Sequence, residues 1–216
     1  MSFQGEIEAR CTACRQVFET PVWSFVHGSD ENLRNQIKAH ECNLLLCPHC
    51  GAAFMPDASW IYFEPASEIL AFVFPESWQA EEAKWREKMK SDFAEMRGAL
   101  GEKLPIDYEP EIFFGQAGLG DLLEAADWRV DERDVMEHYA RELGLKLYKA
   151  SPRWARLNGA PTDYPYKGNG APTRAGLIEG LKVLVAANDA LTAWSDFLAK
   201  FEKDAAAGVP PAAKAR

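Results

Sequence analysis

No stretch of the chain approaches the roughly 18 consecutive apolar residues of a membrane-spanning helix, so no passage through a bilayer is expected. The start, Met1-Ser2-Phe3-Gln4-Gly5-Glu6, offers neither a basic flank nor an apolar run, and no secretory signal is read there. Positive charge is in deficit: 24 Lys and Arg against 33 Asp and Glu leave a net charge of −9. That balance argues against general adhesion to nucleic-acid phosphates, though it leaves room for a local basic patch. Motifs that announce catalysis are missing as well. No nucleophile with a neighbouring base, no phosphate loop and no telling pair of carboxylates stands out. The reading leans away from an enzyme, although catalytic sites also assemble from residues far apart.

Cysteine is scarce too, with five in 216 residues, yet four of the five are patterned. Cys11-Thr12-Ala13-Cys14 and Cys47-Pro48-His49-Cys50 are two Cys-x-x-Cys pairs, each followed four residues later by a phenylalanine, Phe18 and Phe54. A Cys-x-x-Cys turn converges two thiolates on one ion, and two such turns supply the closed tetrahedral sulfur site of structural zinc. Cys11, Cys14, Cys47 and Cys50 are therefore the expected ligands of one Zn²⁺. Gly51, directly after the second pair, suits a positive φ, and Arg15 fills the equivalent place in the first pair. Residues 15–46 separate the pairs, too long a gap for a compact ribbon, so the gap must hold structure of its own.

Other readings of these cysteines are weaker. Cys-Pro-His-Cys also suits a thiol oxidant, with Cys47 and Cys50 as the redox pair, but such a motif should open a helix after a strand. Gly51-Ala52-Ala53-Phe54-Met55-Pro56 reads instead as a turn leading to a break, and the first pair is left unexplained. A nucleobase deaminase needs His-x-Glu and Pro-Cys-x-x-Cys, which His40-Glu41-Cys42 and Cys47-Pro48 do not match. His40 or His49 could replace a thiolate, but four better placed sulfurs make this unnecessary. Cys42 reads as a buried small hydrophobe or a spectator. Thiolate clusters without an export signal point to a reducing cytoplasm.

The paired cysteines, Val22-Trp23, the strand Trp60-Ile61-Tyr62-Phe63, and Ile112-Phe113-Phe114-Gly115 before Asp121-Leu122-Leu123 together resemble the CpXC domain family over roughly residues 9 to 127. That family is named for two Cys-Pro-x-Cys motifs, and Thr12 departs from it at the proline of the first. Ligation needs only the sulfurs, so the metal reading stands. The resemblance implies a fold and a metal but no activity.

The fold expected is α+β: a small zinc-ribbon-like antiparallel sheet with a long helix, then a mostly helical C-terminal half. Residues 1–127 form the zinc-binding domain, 128–204 a helical region with a basic, aromatic loop at 145–174, and 205–216 a disordered tail. Residues 6–10 and 17–26 read as strands, with Pro21 at an edge or bulge. Ser29 is the expected cap of a helix burying Leu33 and Ile37. Asn43 to Leu46 should return as a strand into Cys47. Trp60–Phe63 and Ile69–Phe74 should pair as a hairpin, and Ile112–Phe114 should add an edge strand. From Pro75, Trp78, Trp85, Met89, Phe93 and Met96 fall on one helical face, read as packing against the sheet rather than as a cofactor wall. A short helix over 121–126 and a second from Asp131 are expected. The second should bury Val135, Met136, Tyr139 and Leu143, end at Gly144 and leave Glu137-His138 at or near the surface.

Two stretches suggest partners. Residues 146–174 carry Lys146, Lys149, Arg153, Arg156, Lys167 and Arg174 against the single acid Asp163, interleaved with Tyr148, Trp154, Tyr164 and Tyr166. Nucleic-acid binding would use Lys149, Arg153, Trp154, Arg156 and Lys167, the aromatics stacking on bases. A loop packed on an acidic body is the favoured reading of that stretch. From Thr173 to about Lys203 a single helix carries the seam Leu177, Leu181, Leu184, Asn188, Leu191, Ser195 and Leu198. The five leucines would pack on their own chain or bind a partner or a second copy. The function expected first is a zinc-stabilised protein-interaction module, with nucleic-acid binding second and thiol redox chemistry third.

Overall fold

The computed structural model describes residues 1–101, 106, 108–188, 190–204 and 208–213, which fall into two compact units, 1–124 and 125–216. The chain is α+β. In the first unit β1 (Phe3–Arg10), β2 (Val17–His27), β5 (Trp60–Glu64), β6 (Ile69–Phe74) and β7 (Glu111–Phe114) form one sheet in the order β1-β2-β5-β6-β7. A two-stranded ribbon, β3 (Leu45–Leu46) with β4 (Ala53–Phe54), stands beside it.

The large sheet is mixed, where the sequence suggested an antiparallel one. β1 and β5 pair antiparallel with β2 and β6 respectively, but β2 with β5 and β6 with β7 run parallel. A parallel neighbour requires a crossover, and both intervening stretches are long enough to supply one. The first contains α1 (Glu31–Lys38), the second α2 (Glu82–Leu100).

β6 shows why the layers form. Its sequence is a continuous apolar run with all six residues buried, as expected of a strand covered on both faces. Alternation then sorts the side chains. Ile69, Ala71 and Val73 join Leu33 and Ile37 of α1 and Leu119 and Leu123 of α3 (Ala117–Glu142), while Leu70, Phe72 and Phe74 meet Met89 and Phe93 of α2. The stripe from Trp78 to Met96 is thus core, and the Trp78 and Trp85 rings stack at 4.0 Å.

Several boundaries differ from expectation. Asp30, not Ser29, caps α1 by accepting from the Leu33 N–H, while the Ser29 hydroxyl bonds His27 Nδ1. Only Leu45–Leu46 of the expected strand before Cys47 pairs; Asn43 has φ of 61°, and its amide bonds both N–H and C=O of Trp23. Pro21 stays in register opposite Glu6, so it marks an edge position and no bulge. The two helices expected around Asp121 and Asp131 are one, α3, because no Pro or Gly interrupts residues 121–142.

In the second unit β8 (Lys146–Lys149) and β9 (Asp163–Tyr166) pair antiparallel around α4 (Pro152–Asn158), so about half of the expected loop at 145–174 is regular structure. Its core gathers Met136, Tyr164, Leu177, Leu181, Leu184, Trp194 and Phe201. Val135, expected inward, is 48% exposed. Gly144 ends α3 with φ of 64°. The last helix is two, α5 (Arg174–Ala187) and α6 (Thr192–Lys203). Asn188 makes the break: its side chain donates to the Tyr139 hydroxyl and accepts from the Ala190 N–H, offering the backbone a local alternative to helix. In the expected disordered tail, 205–207 and 214–216 lie outside the described residues. Residues 210–213 run beside β8, with hydrogen bonds from the Ser151 N–H to Pro211 O and from the Ala213 N–H to Lys149 O.

Candidate metal centre

The two Cys-x-x-Cys segments form equivalent turns. Cys11–Gln16 closes the β1–β2 hairpin and Cys47–Ala52 closes β3–β4. In the first turn the Arg15 N–H donates to Cys11 O at 3.0 Å and the Cys11 N–H to Gln16 O at 2.9 Å. The second repeats this with Gly51 N–H to Cys47 O and Cys47 N–H to Ala52 O, both 2.9 Å. Both require positive φ at the same place: 64° at Arg15 and 73° at Gly51. The paired phenylalanines find their reason here. Phe18 and Phe54 meet edge to face at 6.2 Å and pack with Ile7, Ala9 and Leu45 beneath the sulfurs.

The four sulfurs converge. Cys11 Sγ lies 3.7 Å from Cys50 Sγ and Cys14 Sγ lies 3.6 Å from Cys47 Sγ, and all four are within 4.8 Å of one another. A tetrahedron of sulfurs about 2.3 Å from a central zinc has edges of roughly 3.8 Å, so the donor set and its spacing fit such an ion. Cys11 and Cys47 are buried, Cys14 half-buried and Cys50 exposed.

Electrostatics points the same way. The Cys14 backbone N–H donates to Cys11 Sγ at 3.5 Å and, against the effect of burial, brings the Cys11 thiol down to about 6. At Cys14 the Gln16 N–H acts in the same sense, but burial and the Cys47, Cys50 and Cys11 sulfurs outweigh it and push the thiol up to about 12. Four thiolates this close repel one another unless a cation is shared among them.

The other sequence candidates are placed as follows. Cys42 is fully buried in the core shared with α1, and burial pushes its thiol up to about 12. His49 lies against the Phe18 ring at 6.3 Å. Arg153, Trp154 and Arg156 lie together on α4, with Trp154 packed against the second-unit core; Lys149 ends β8 and Lys167 follows β9. Leu177, Leu181 and Leu184 are fully buried in that core, and Leu191 and Leu198 pack against it, so the seam is spent inside its own chain.

Sequence reasoning missed two cavities. One, of about 360 Å³ in the first unit, is lined among others by His40, Asp57, Trp60, Glu76 and Gln116. The other, of about 320 Å³ in the second unit, is lined by Arg129, Glu132, Trp194 and Phe197 with the turn at Gly159–Pro161. Neither set is contiguous, and reading α3 as two helices hid the Arg129–Glu132 pair. Among the described residues no helix is long and apolar enough to cross a membrane.

In comparison with known proteins, the family model described as CpXC protein matches residues 9–137, more than half of the chain. No curated protein and no solved structure matches.

Proposed function

The chain belongs to the CpXC family, and we propose that Cys11, Cys14, Cys47 and Cys50 hold one Zn²⁺ as a closed structural site in a protein-interaction module. The convergence of four sulfurs from two matching turns carries this reading. Four thiolates fill a tetrahedral ion and leave no position for a substrate, which favours structure over catalysis. When bound, the ion supplies a cross-link; the chain supplies two preformed turns, the N–H donors that favour thiolate and the apolar floor of Phe18 and Phe54. The β3–β4 ribbon pairs through two residues a side and is too short to hold itself. Its attachment through Cys47 and Cys50 to the β1–β2 hairpin is therefore the ion's main structural effect. The interaction role is supported by apolar side chains left in solvent around that ribbon: Leu46 is 71% exposed, with Leu44 and Met55 also exposed. A reducing cytoplasm is the compartment in which such a site persists.

Native mass spectrometry of the full chain, with and without a strong chelator, tests the reading. One zinc per chain is expected, lost on chelation together with the compact charge states of the first unit. A metal-free chain two hydrogens light would instead show a disulfide. A Cys47→Ser chain that binds no zinc yet unfolds like the original would refute the structural role.

A further inference from the structure

The second-unit cavity is bounded by α3 (Arg129, Glu132), the α4–β9 turn (Gly159–Pro161) and α6 (Ala193, Trp194, Phe197). Two observations about it need a common explanation. Arg129 is half-buried, and among the described residues nothing makes a hydrogen bond or ion pair with its guanidinium. Glu132, one turn on, acts on it only through space, and so does the positive charge of Arg156. A desolvated guanidinium normally has a carboxylate fork at hand.

The second observation is that the remaining wall is aromatic, from Trp194 and Phe197, and the volume of about 320 Å³ is at the small end of ligand sites. That wall is backed by the fully buried Tyr164, whose ring lies 5.5 Å from Phe197 and edge-on to Trp194 at 6.4 Å.

We propose that this cavity binds a small monocarboxylate with an aromatic body, the carboxylate taken by Arg129 and the body held against Trp194 and Phe197. A planar carboxylate matches the guanidinium fork. The acids set the charge of the ligand: Glu132 faces the same space and Asp163 acts on Glu132, so a phosphate dianion meets repulsion that a monoanion meets less. The inference is independent of the metal reading, since the cysteines contribute nothing to this unit.

The test titrates the full-length chain with 3-phenylpropionate, 3-phenylpropionamide and phenyl phosphate, followed by calorimetry and by the Trp194 indole N–H signal, assigned through Trp194→Phe. Saturable binding of the acid at one site is expected, with the amide weaker by about tenfold or more. Arg129→Gln should lose binding by a similar factor. The acid–amide comparison needs no variant, so the test survives if Arg129→Gln fails to fold. Equal binding of acid and amide, tighter binding of phenyl phosphate, an unmoved Trp194 signal, no saturable binding at all, or a folded Arg129→Gln chain that binds unchanged would each overturn the proposal.

Discussion

Arg15 and Gly51 occupy the same place in two matching turns, yet only one is a glycine. A side chain at positive φ costs about 1 kcal/mol, so Arg15→Gly should stabilise the first unit by about 0.5–1 kcal/mol and Gly51→Ala should destabilise it by about 1 kcal/mol. Urea unfolding of the zinc-loaded chain reads both. A second residue-scale expectation concerns Asp163, buried at 5% exposure with the Thr162 hydroxyl on one oxygen and the other without a hydrogen-bond partner among the described residues. Burial, only partly opposed by that hydroxyl and by Lys149 and Arg133, raises its carboxyl above the ordinary 3.8. An acid whose folded value is raised binds its proton more tightly folded than unfolded. Its contribution favours folding at low pH and is lost as pH rises from about 3.8 through the folded value. Asp163→Asn should therefore flatten the pH dependence of stability across that window and gain stability at neutral pH relative to the unaltered chain. An unchanged slope would show the carboxyl to be solvated.

At the scale of elements, what the sequence disclosed was whatever local pattern decides. The cysteine turns, the apolar strand at 69–74 and the aromatic face of α2 were legible because spacing alone determines them. Strand direction was not, because parallel pairing of β2 with β5 depends on where a distant hairpin lands. The unbroken α3 and the break at Asn188 were misread for one reason: Asp131 resembles a cap but lies inside a continuous helix, whereas the Asn188 amide accepts from the Ala190 N–H where the helix stops. Helix glycines make the same point quantitatively. Gly98, inside α2 with open space around it, should accept Ala with a gain of about 0.5–1 kcal/mol. Gly180, inside α5, would place a Cβ 2.3 Å from Pro165 O and 2.5 Å from the Tyr166 Cα. Those are backbone atoms of β9, so Gly180→Ala should cost about 1–3 kcal/mol despite the better propensity. Thermal unfolding of the two variants should move in opposite directions.

Across the whole molecule, the candidate metal centre was readable from four positions, and the ligand cavity was not, because its walls come from three elements whose meeting no local pattern encodes. One consequence of the first unit's architecture concerns solubility. Among the described residues β5 pairs with β2 only at Phe25–His27, so the preceding residues of β2 have no second strand on that flank. Trp23 turns its N–H and C=O to Asn43, away from β1, so the residues two and four before it face the same way. One of them is Pro21, which has no N–H to offer. The flank is thus blunted twice, by an amide that stands in for a strand at Trp23 and by a missing donor at Pro21, and a passing chain finds no continuous ladder to join. Pro21→Val with Asn43→Ala would restore that ladder. Light scattering during refolding should then rise with protein concentration far more steeply than for the native sequence, a failure that the folded structure's own stability would not reveal.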